Sequence, residues 1–271
     1  MLLSRPWLSG NTGPMTDDPA SYSTVPRLAE IAGLVHRFGG AGWSEADFLA
    51  FAASRDLRPV IVRQLHSDTI RRLTGVPAGK LEGDALMTNV PGLLLVIRTA
   101  DCLPVFLVDA NNRAVAAVHC GWRGTEKRIL EKAARAMVQA YGSKPGEMLA
   151  ALGPCIGSAC YEVGPEVREG FRRAGFPPSV FTKCQERGTR TASPEAVHVP
   201  TQPASAPVRQ GKSLLDLRAA NICLLDGLGF KKDNIVDSGS ACTHCEPHLL
   251  SYRRDPGDSR RMYNFIGFTP R

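Results

Sequence analysis

Apolar residues fall along this chain in two rhythms. Short runs rich in Val, Ile and Leu, punctuated by Gly, Pro and Asn, cover residues 58–64, 93–98, 104–109, 113–119 and 148–153; that length and composition predict strands. Residues 93–97 are apolar without alternation, so both faces of that strand should be buried. Asn111 and Asn112, between two of the runs, predict a hairpin turn. Residues 234–237 read as a further short strand and 262–268 as a last apolar stretch.

The second rhythm is helical. Ile129, Ala133, Met137 and Tyr141 recur every four residues, flanked by Leu130, Ala134 and Val138, with charged residues on the other side. Thr125 is the expected N-cap of this helix and Gly142 its stop. Ser44 is expected to cap a short helix running to about Ser54, and Pro165 to open one that ends near Gly175. Ser213, with Asp216 three residues on, reads as the capping pair of another helix. Residues 36–40, His-Arg-Phe-Gly-Gly, read as a turn. With no internal repeat and no interior linker, the pattern predicts one α/β domain over 26–271, its strands mixed in direction. A Pro-, Ser-, Asp- and Thr-rich stretch, 1–25, reads as a poorly ordered lead-in. An aperiodic stretch, 177–212, reads as a long loop or insertion.

Composition narrows this little. The 271 residues are 43% hydrophobic and 22% charged, as in ordinary globular proteins. A net charge of +7 favours anionic substrates. The Lys and Arg residues are scattered and fit no nucleic-acid-binding module, so no polymeric nucleic acid is expected as a partner. The most apolar stretch, 92–108, is interrupted by Arg98, Asp101 and Pro104 and cannot cross a bilayer as a helix. The N-terminus has no secretion-signal pattern. The expectation is a cytoplasmic monomer whose eight cysteines are free thiols.

Three segments place reactive residues where a strand gives way to a turn: QLHSD (64–68), TADCLP (99–104) and AVHCGWRGT (117–125). If they converge, His66, Cys102 and His119 form a two-nitrogen, one-sulfur set. That set suits zinc or copper and leaves a fourth position for water or substrate. The same atoms without metal would be a thiolate nucleophile beside its base. Spacings of 36 and 17 residues match no contiguous zinc motif, and a lone Cys or His after a buried strand is more often packing. Gly121 to Thr125 offers a glycine-bracketed helix start with Arg123 beside it, read equally as an anion site or a tight turn. Cys242 and Cys245 form a CxxC with His244 and His248 nearby, open to a zinc-knuckle or a redox reading. Tyr252-Arg253-Arg254-Asp255 reads as a phosphate site or a salt-bridged surface.

Taken in order, QLHSD, GDALMTN, TADCLPVFLVD, AVAAVHCGWRGT, ALGPCIGSACYEVGPEV, SLLDLRAAN and CTHC…LLSYRRD resemble the family once described as multicopper polyphenol oxidases or laccase-domain proteins, now regarded largely as purine nucleoside phosphorylases. The resemblance covers roughly residues 58–267. It implies a four-layer α/β/β/α sandwich with mixed sheets, like the cysteine hydrolases of the cytotoxic necrotizing factor type. It implies that His66, Cys102 and His119 are the catalytic and metal-binding trio, with zinc and sometimes copper. It implies phosphorolysis of adenosine, inosine, guanosine or methylthioadenosine, with adenosine deamination as a second activity. Alternatives are a cysteine amidase editing peptidoglycan precursors, and a copper-dependent polyphenol oxidase. For phosphorolysis, Arg123 or Arg37 would hold phosphate, and Asp84 and Asp101, expected at the substrate, would shuttle protons if buried near the trio. The chain departs from the family in carrying Cys120 after the third-motif histidine, which puts a second thiol beside the expected site. It departs again in its N-terminal motif, His36-Arg37-Phe38-Gly39-Gly40.

Overall fold

The computed structural model describes residues 22–182, 211–239 and 241–270. Most of the expected lead-in (1–25) and of the 177–212 stretch lies outside the described residues. Along the first half run β1 (Tyr22–Ser23), α1 (Pro26–Ala29), β2 (Leu34–Gly39), α2 (Glu45–Ala53), β3 (Arg58–Arg63), β4 (Ile70–Leu73), β5 (Leu81–Glu82), β6 (Ala85–Thr88), β7 (Leu93–Thr99), β8 (Leu103–Asp109) and β9 (Ala114–Cys120). There follow α3 (Trp122–Glu126), α4 (Ile129–Tyr141), β10 (Leu149–Leu152), β11 (Glu162–Val163), α5 (Pro165–Arg173), β12 (Phe181–Thr182), β13 (Ser213–Leu215), α6 (Leu217–Gly227), β14 (Ile235–Asp237) and β15 (Met262–Phe268).

The fold is mixed α/β with mixed sheets. One six-stranded sheet has the order β1-β2-β15-β7-β3-β5 and the other β14-β10-β8-β9-β6-β4; β11, β13 and β12 form a small third sheet. β3 and β5 run parallel to their neighbours in the first sheet, and β14 and β4 in the second; the other pairings are antiparallel. Alternation distributes the side chains. From β8, Phe106 and Val108 join Leu95, Ile97, Val60 and Ile266 of the first sheet in one core, whereas Val105 and Leu107 join Leu130, Ala134 and Met137 of α4 in another. The Phe38 and Phe106 rings stack 4.4 Å apart across the two sheets, worth about 1 kcal/mol beyond the area they bury. On the other face of the first sheet, Leu94, Val96 and Phe265 pack against Phe48 and Phe51 of α2. Both faces of 93–97 are therefore buried, as the unbroken apolar run requires.

Several local expectations hold. Ser44 caps α2 in a capping box with Asp47, Gly142 ends α4 in the left-handed region (φ 69°), and Pro165 opens α5. Others need correction. Thr125 does not cap the long helix: it is buried in α3, its hydroxyl accepting from Asn221 at 3.1 Å, and α4 begins after a left-handed break at Arg128 (φ 62°). Ser213 is in strand β13, and Asp216 alone caps α6 through the Ala219 N–H. The 36–40 turn is the end of β2, whose His36 ring accepts the Val25 N–H at 2.8 Å and whose Arg37 stacks over aromatic rings.

Between β3 and β8 the chain alternates between the sheets, and three of its crossings, 64–69, 83–84 and 100–102, lie at one end of them. The register places the end of β9 and the end of β10 there as well (Leu103 opposite Cys120, Leu152 opposite Val105), together with the start of β15 (Met262 opposite Thr99).

Candidate functional site

That end carries the reactive residues. His66 sits in the first crossing with φ 56°, Asp101 adjoins Cys102 in the third with φ 83°, and His119 stands near the end of β9. The donor atoms of His66, Cys102 and His119 all lie within 4.8 Å of one another. The two imidazoles meet edge to face, ring centroids 4.9 Å apart. His119 is buried, Cys102 half-buried and His66 exposed, so the set opens to solvent on one side.

Asp84 organises it. Its carboxylate, fully buried, accepts from the N–H groups of Leu65 (3.2 Å), His66 (3.0 Å) and Ser67 (2.7 Å), from the Ser67 hydroxyl (2.6 Å) and from His119 Nδ1 (2.8 Å). Burial alone would raise this carboxyl, but the His119 and Ser67 hydrogen bonds hold it far below the usual carboxylate range. Asp84 thus fixes the turn that presents His66 and leaves His119 Nε2 to face Cys102. The expectation that Asp84 binds substrate is corrected, since both oxygens are engaged and neither reaches solvent; Asp84 is nevertheless buried against the trio, the position a proton shuttle would need.

Burial pushes the Cys102 thiol up, but the His119 charge, with hydrogen bonds from His119 and His66, outweighs it and brings the thiol down to about 6. Burial pushes His119 down, and the Cys102 charge and the Asp84 hydrogen bond reverse this, raising it to about 9. Between those values the pair is thiolate and imidazolium.

The glycines around the trio are required by space. A Cβ on Gly121 would stand 3.0 Å from Cys102 Sγ and 3.4 Å from His66 Cδ2; one on Gly124 would stand 3.2 Å from the Ser67 carbonyl oxygen. Sequence reading took this segment as an anion site or a turn and missed that Gly121 makes the room in which the trio meets. Only the distance to Cys102 and His66 reveals it.

The remaining expected site residues part company. Arg123 is exposed on α3, stacked on Trp122, and its charge reaches Tyr161, which burial and the Cys102 charge together push up. Arg253 lies over the same tyrosine, 5.3 Å from the ring. Arg123 and Arg253 therefore share Tyr161 as a neighbour; the second was visible in sequence only as part of a basic run. Asp101 does not face a substrate space: it is buried, accepting from the Thr243 hydroxyl at 2.6 Å and the Arg253 N–H at 2.7 Å. It ties the Cys102 turn to the 242–254 segment. Arg37 is not brought to the trio; its guanidinium lies 3.6 Å over Tyr22 and 4.4 Å over Phe51, on the α2 face of the first sheet. Cys120, expected as a second thiol at the site, points by strand alternation into the core with Leu103 and Val118, where burial pushes its thiol far up. Arg254 donates to the Thr243, Glu246 and Leu249 carbonyls and pins the loop rather than an anion.

The family model described as multi-copper polyphenol oxidoreductase laccase matches residues 46–269. A purine nucleoside phosphorylase of Deinococcus radiodurans is 35% identical over 223 residues, 82% of this chain and 74% of that protein. An adenosine deaminase, RL5, from an unknown prokaryotic organism is 38% identical over 188 residues, 69% of this chain and 63% of that protein. The crystal structure of YlmD from Geobacillus stearothermophilus superposes with a TM-score of 0.73 at 25% identity, covering 89% of this chain and 93% of that one.

Proposed function

Because the chain belongs to the multi-copper polyphenol oxidoreductase laccase family, we propose that it is a zinc-dependent purine nucleoside phosphorylase, acting on adenosine, inosine, guanosine or methylthioadenosine, with adenosine deamination as a second activity. The observation that carries this reading is the convergence of His66, Cys102 and His119 in a set that opens to solvent through His66, with the cations Arg123 and Arg253 near the neighbouring Tyr161. Relatives named purine nucleoside phosphorylase and adenosine deaminase support the substrate class.

The donor set fits zinc. Two imidazole nitrogens and one thiolate, one imidazole backed by a carboxylate, form the three-ligand arrangement of catalytic sites with an open fourth position. His66, Cys102 and His119 would hold the ion, which would supply Lewis acidity for polarising the substrate; copper suits the same donors. The other roles belong to the chain itself. Arg123 and Arg253 bind the phosphate dianion and hold it for attack on the anomeric carbon as the bond to the purine nitrogen breaks. Asp84 keeps the His119 proton on Nδ1. Gly121 leaves the space above the trio unfilled. We read residues 26–271 as one catalytic domain of the four-layer, necrotizing-factor type; the helices packed outside two facing sheets support that arrangement.

One observation favours a second reading. Cys102, His119 and Asp84 stand in the order nucleophile, base and orienter, the constellation of a cysteine amidase that would edit peptidoglycan precursors. The oxidase reading finds less support: the two donor clusters among the described residues hold three histidines between them. Product analysis separates the readings. The purified protein given adenosine should release adenine only when phosphate is present, and inosine with ammonia without it. Failure to turn over nucleosides, with release of serine from a muramoyl-serine precursor instead, would overturn the proposal in favour of the amidase.

A further inference from the structure

A second cluster of donors stands outside the trio. Cys160, His244 and Cys245 hold their donor atoms within 4.8 Å of one another, and the Cys160 and Cys245 sulfurs are 3.4 Å apart. Cys242 Sγ adjoins these sulfurs and interacts with both, just outside the 4.8 Å group. Cys160 comes from 85 residues before Cys245 in sequence, which is why no paired CxxC marks the group.

Three features are more than packing. All three thiols are half-buried, whereas inert thiols such as Cys120 and Cys155 are buried in the core. The Gly157 backbone N–H donates to Cys242 Sγ at 3.1 Å, and the Cys245 N–H closes the turn on the Cys242 carbonyl at 3.1 Å, so the two loops meet at this sulfur. The loop opposite is shaped to that sulfur, since a Cβ on Gly157 would stand 3.2 Å from it. The spacing also suits an ion. A tetrahedron of metal–sulfur bonds near 2.3 Å has edges of about 3.8 Å, close to the sulfur separation here and far from the ~2.05 Å of a disulfide.

We propose that Cys160, Cys242, Cys245 and His244 form a second metal site that takes a zinc-class divalent cation and clamps the 155–161 loop to the 242–254 loop. Four protein donors close the coordination shell, which is the structural rather than the catalytic pattern. The ion enters from a cleft of about 390 Å³ lined by Gly157, Cys160, Cys242, Cys245 and Glu246. Cys155 already bridges to Cys242 through the backbone. Thr243, between two ligands, holds Asp101 by its hydroxyl, and Arg253 donates to the Glu162 carbonyl beside Tyr161. The clamp therefore braces the wall of the Cys102 site without touching its donors.

The test is cobalt(II) titration of the full chain, reduced and stripped of metal, in a His66→Ala/Cys102→Ala background that disables the trio. One equivalent should bind, with sulfur-to-cobalt charge-transfer absorption and the intense visible bands of a tetrahedral thiolate site. Cys245→Ser should weaken that binding at least about tenfold. His244→Gln, a milder change, should shift the visible bands, so the proposal stays testable if Cys245→Ser fails to fold. Zinc content gives the converse reading: two ions per wild-type chain and one in the double variant. A double variant that binds no cobalt would overturn the proposal. So would a Cys160–Cys245 disulfide found by mass mapping of freshly purified, unreduced protein, which would make the cluster a redox pair.

Discussion

The trio of His66, Cys102 and His119 and the group of Cys160, Cys242, Cys245 and His244 are built from the same donor types by opposite means. The trio hangs on strand ends and sheet crossings, and a buried carboxylate ties two of its three members to one point. The thiol group hangs on two loops, with the Gly157 N–H on the Cys242 sulfur in place of a carboxylate. The trio faces solvent through His66 and has three donors; the thiol group has three within the same distance, with Cys242 beside them as the proposed fourth. Rigid support with an open position suits chemistry, and a closed shell between loops suits holding the loops together. The same cysteines and histidines are thus divided between reaction and architecture by what surrounds them.

The sharpest way to break this comparison is a pair of variants. Cys102→Ala should lower nucleoside turnover by about 1,000-fold or more while leaving the thermal midpoint nearly unchanged, since the half-buried thiol holds no element in place. Cys245→Ser should do the reverse, lowering the midpoint with turnover kept within a few-fold. Calorimetry beside a phosphorolysis assay reads both, and a Cys245→Ser enzyme as dead as Cys102→Ala would erase the distinction.

A smaller effect is expected at the carboxylate. Asp84→Asn keeps the shape but removes the charge facing His119 and turns one acceptor into a donor, so zinc affinity should fall about 10- to 100-fold by competition with a chromophoric chelator. An unchanged affinity would mean that Asp84 only shapes the turn. Gly121→Ala inserts a methyl 3.0 Å from Cys102 Sγ; turnover should drop roughly tenfold, with a stability loss of about 1–2 kcal/mol from overpacking.

The mildest test is a titration. In metal-free protein, alkylation of Cys102 requires the thiolate, so its rate should rise with pH through about 6 and level off above. His119→Ala should move that inflection upward, toward the ordinary thiol value near 8.5, because the group that lowers it is gone. Cys120 and Cys155, both pushed up by burial, should stay unmodified across the same range. Mass mapping of the alkylated sites distinguishes them.

Much of this was legible in the chain. Residues 93–98, 104–109 and 113–119 announced themselves as strands, and Ser44, Gly142 and Pro165 marked helix ends, because periodicity and capping act over a few residues. The three trio members were marked as well, since polar reactive residues at the ends of apolar runs have little reason to be there unless they work. The elements that escaped were short or disguised. β6 lies in a Gly-Asp-bracketed run, and β2 carries His36 and Arg37, whose polar ends are satisfied by a backbone N–H and by aromatic faces. What only the tertiary structure decided were the partners. Asp84 looked like a substrate ligand until five donors from 65–67 and 119 closed on it. Asp101 looked the same until Thr243, 142 residues away, took its oxygen. Cys120 joined the core by strand alternation, and Cys160 met the 242–245 turn because two distant loops cross at one end of the sheets. Sequence spacing carries local geometry; the environment that assigns a polar side chain its role is assembled by contacts spanning tens of residues or more.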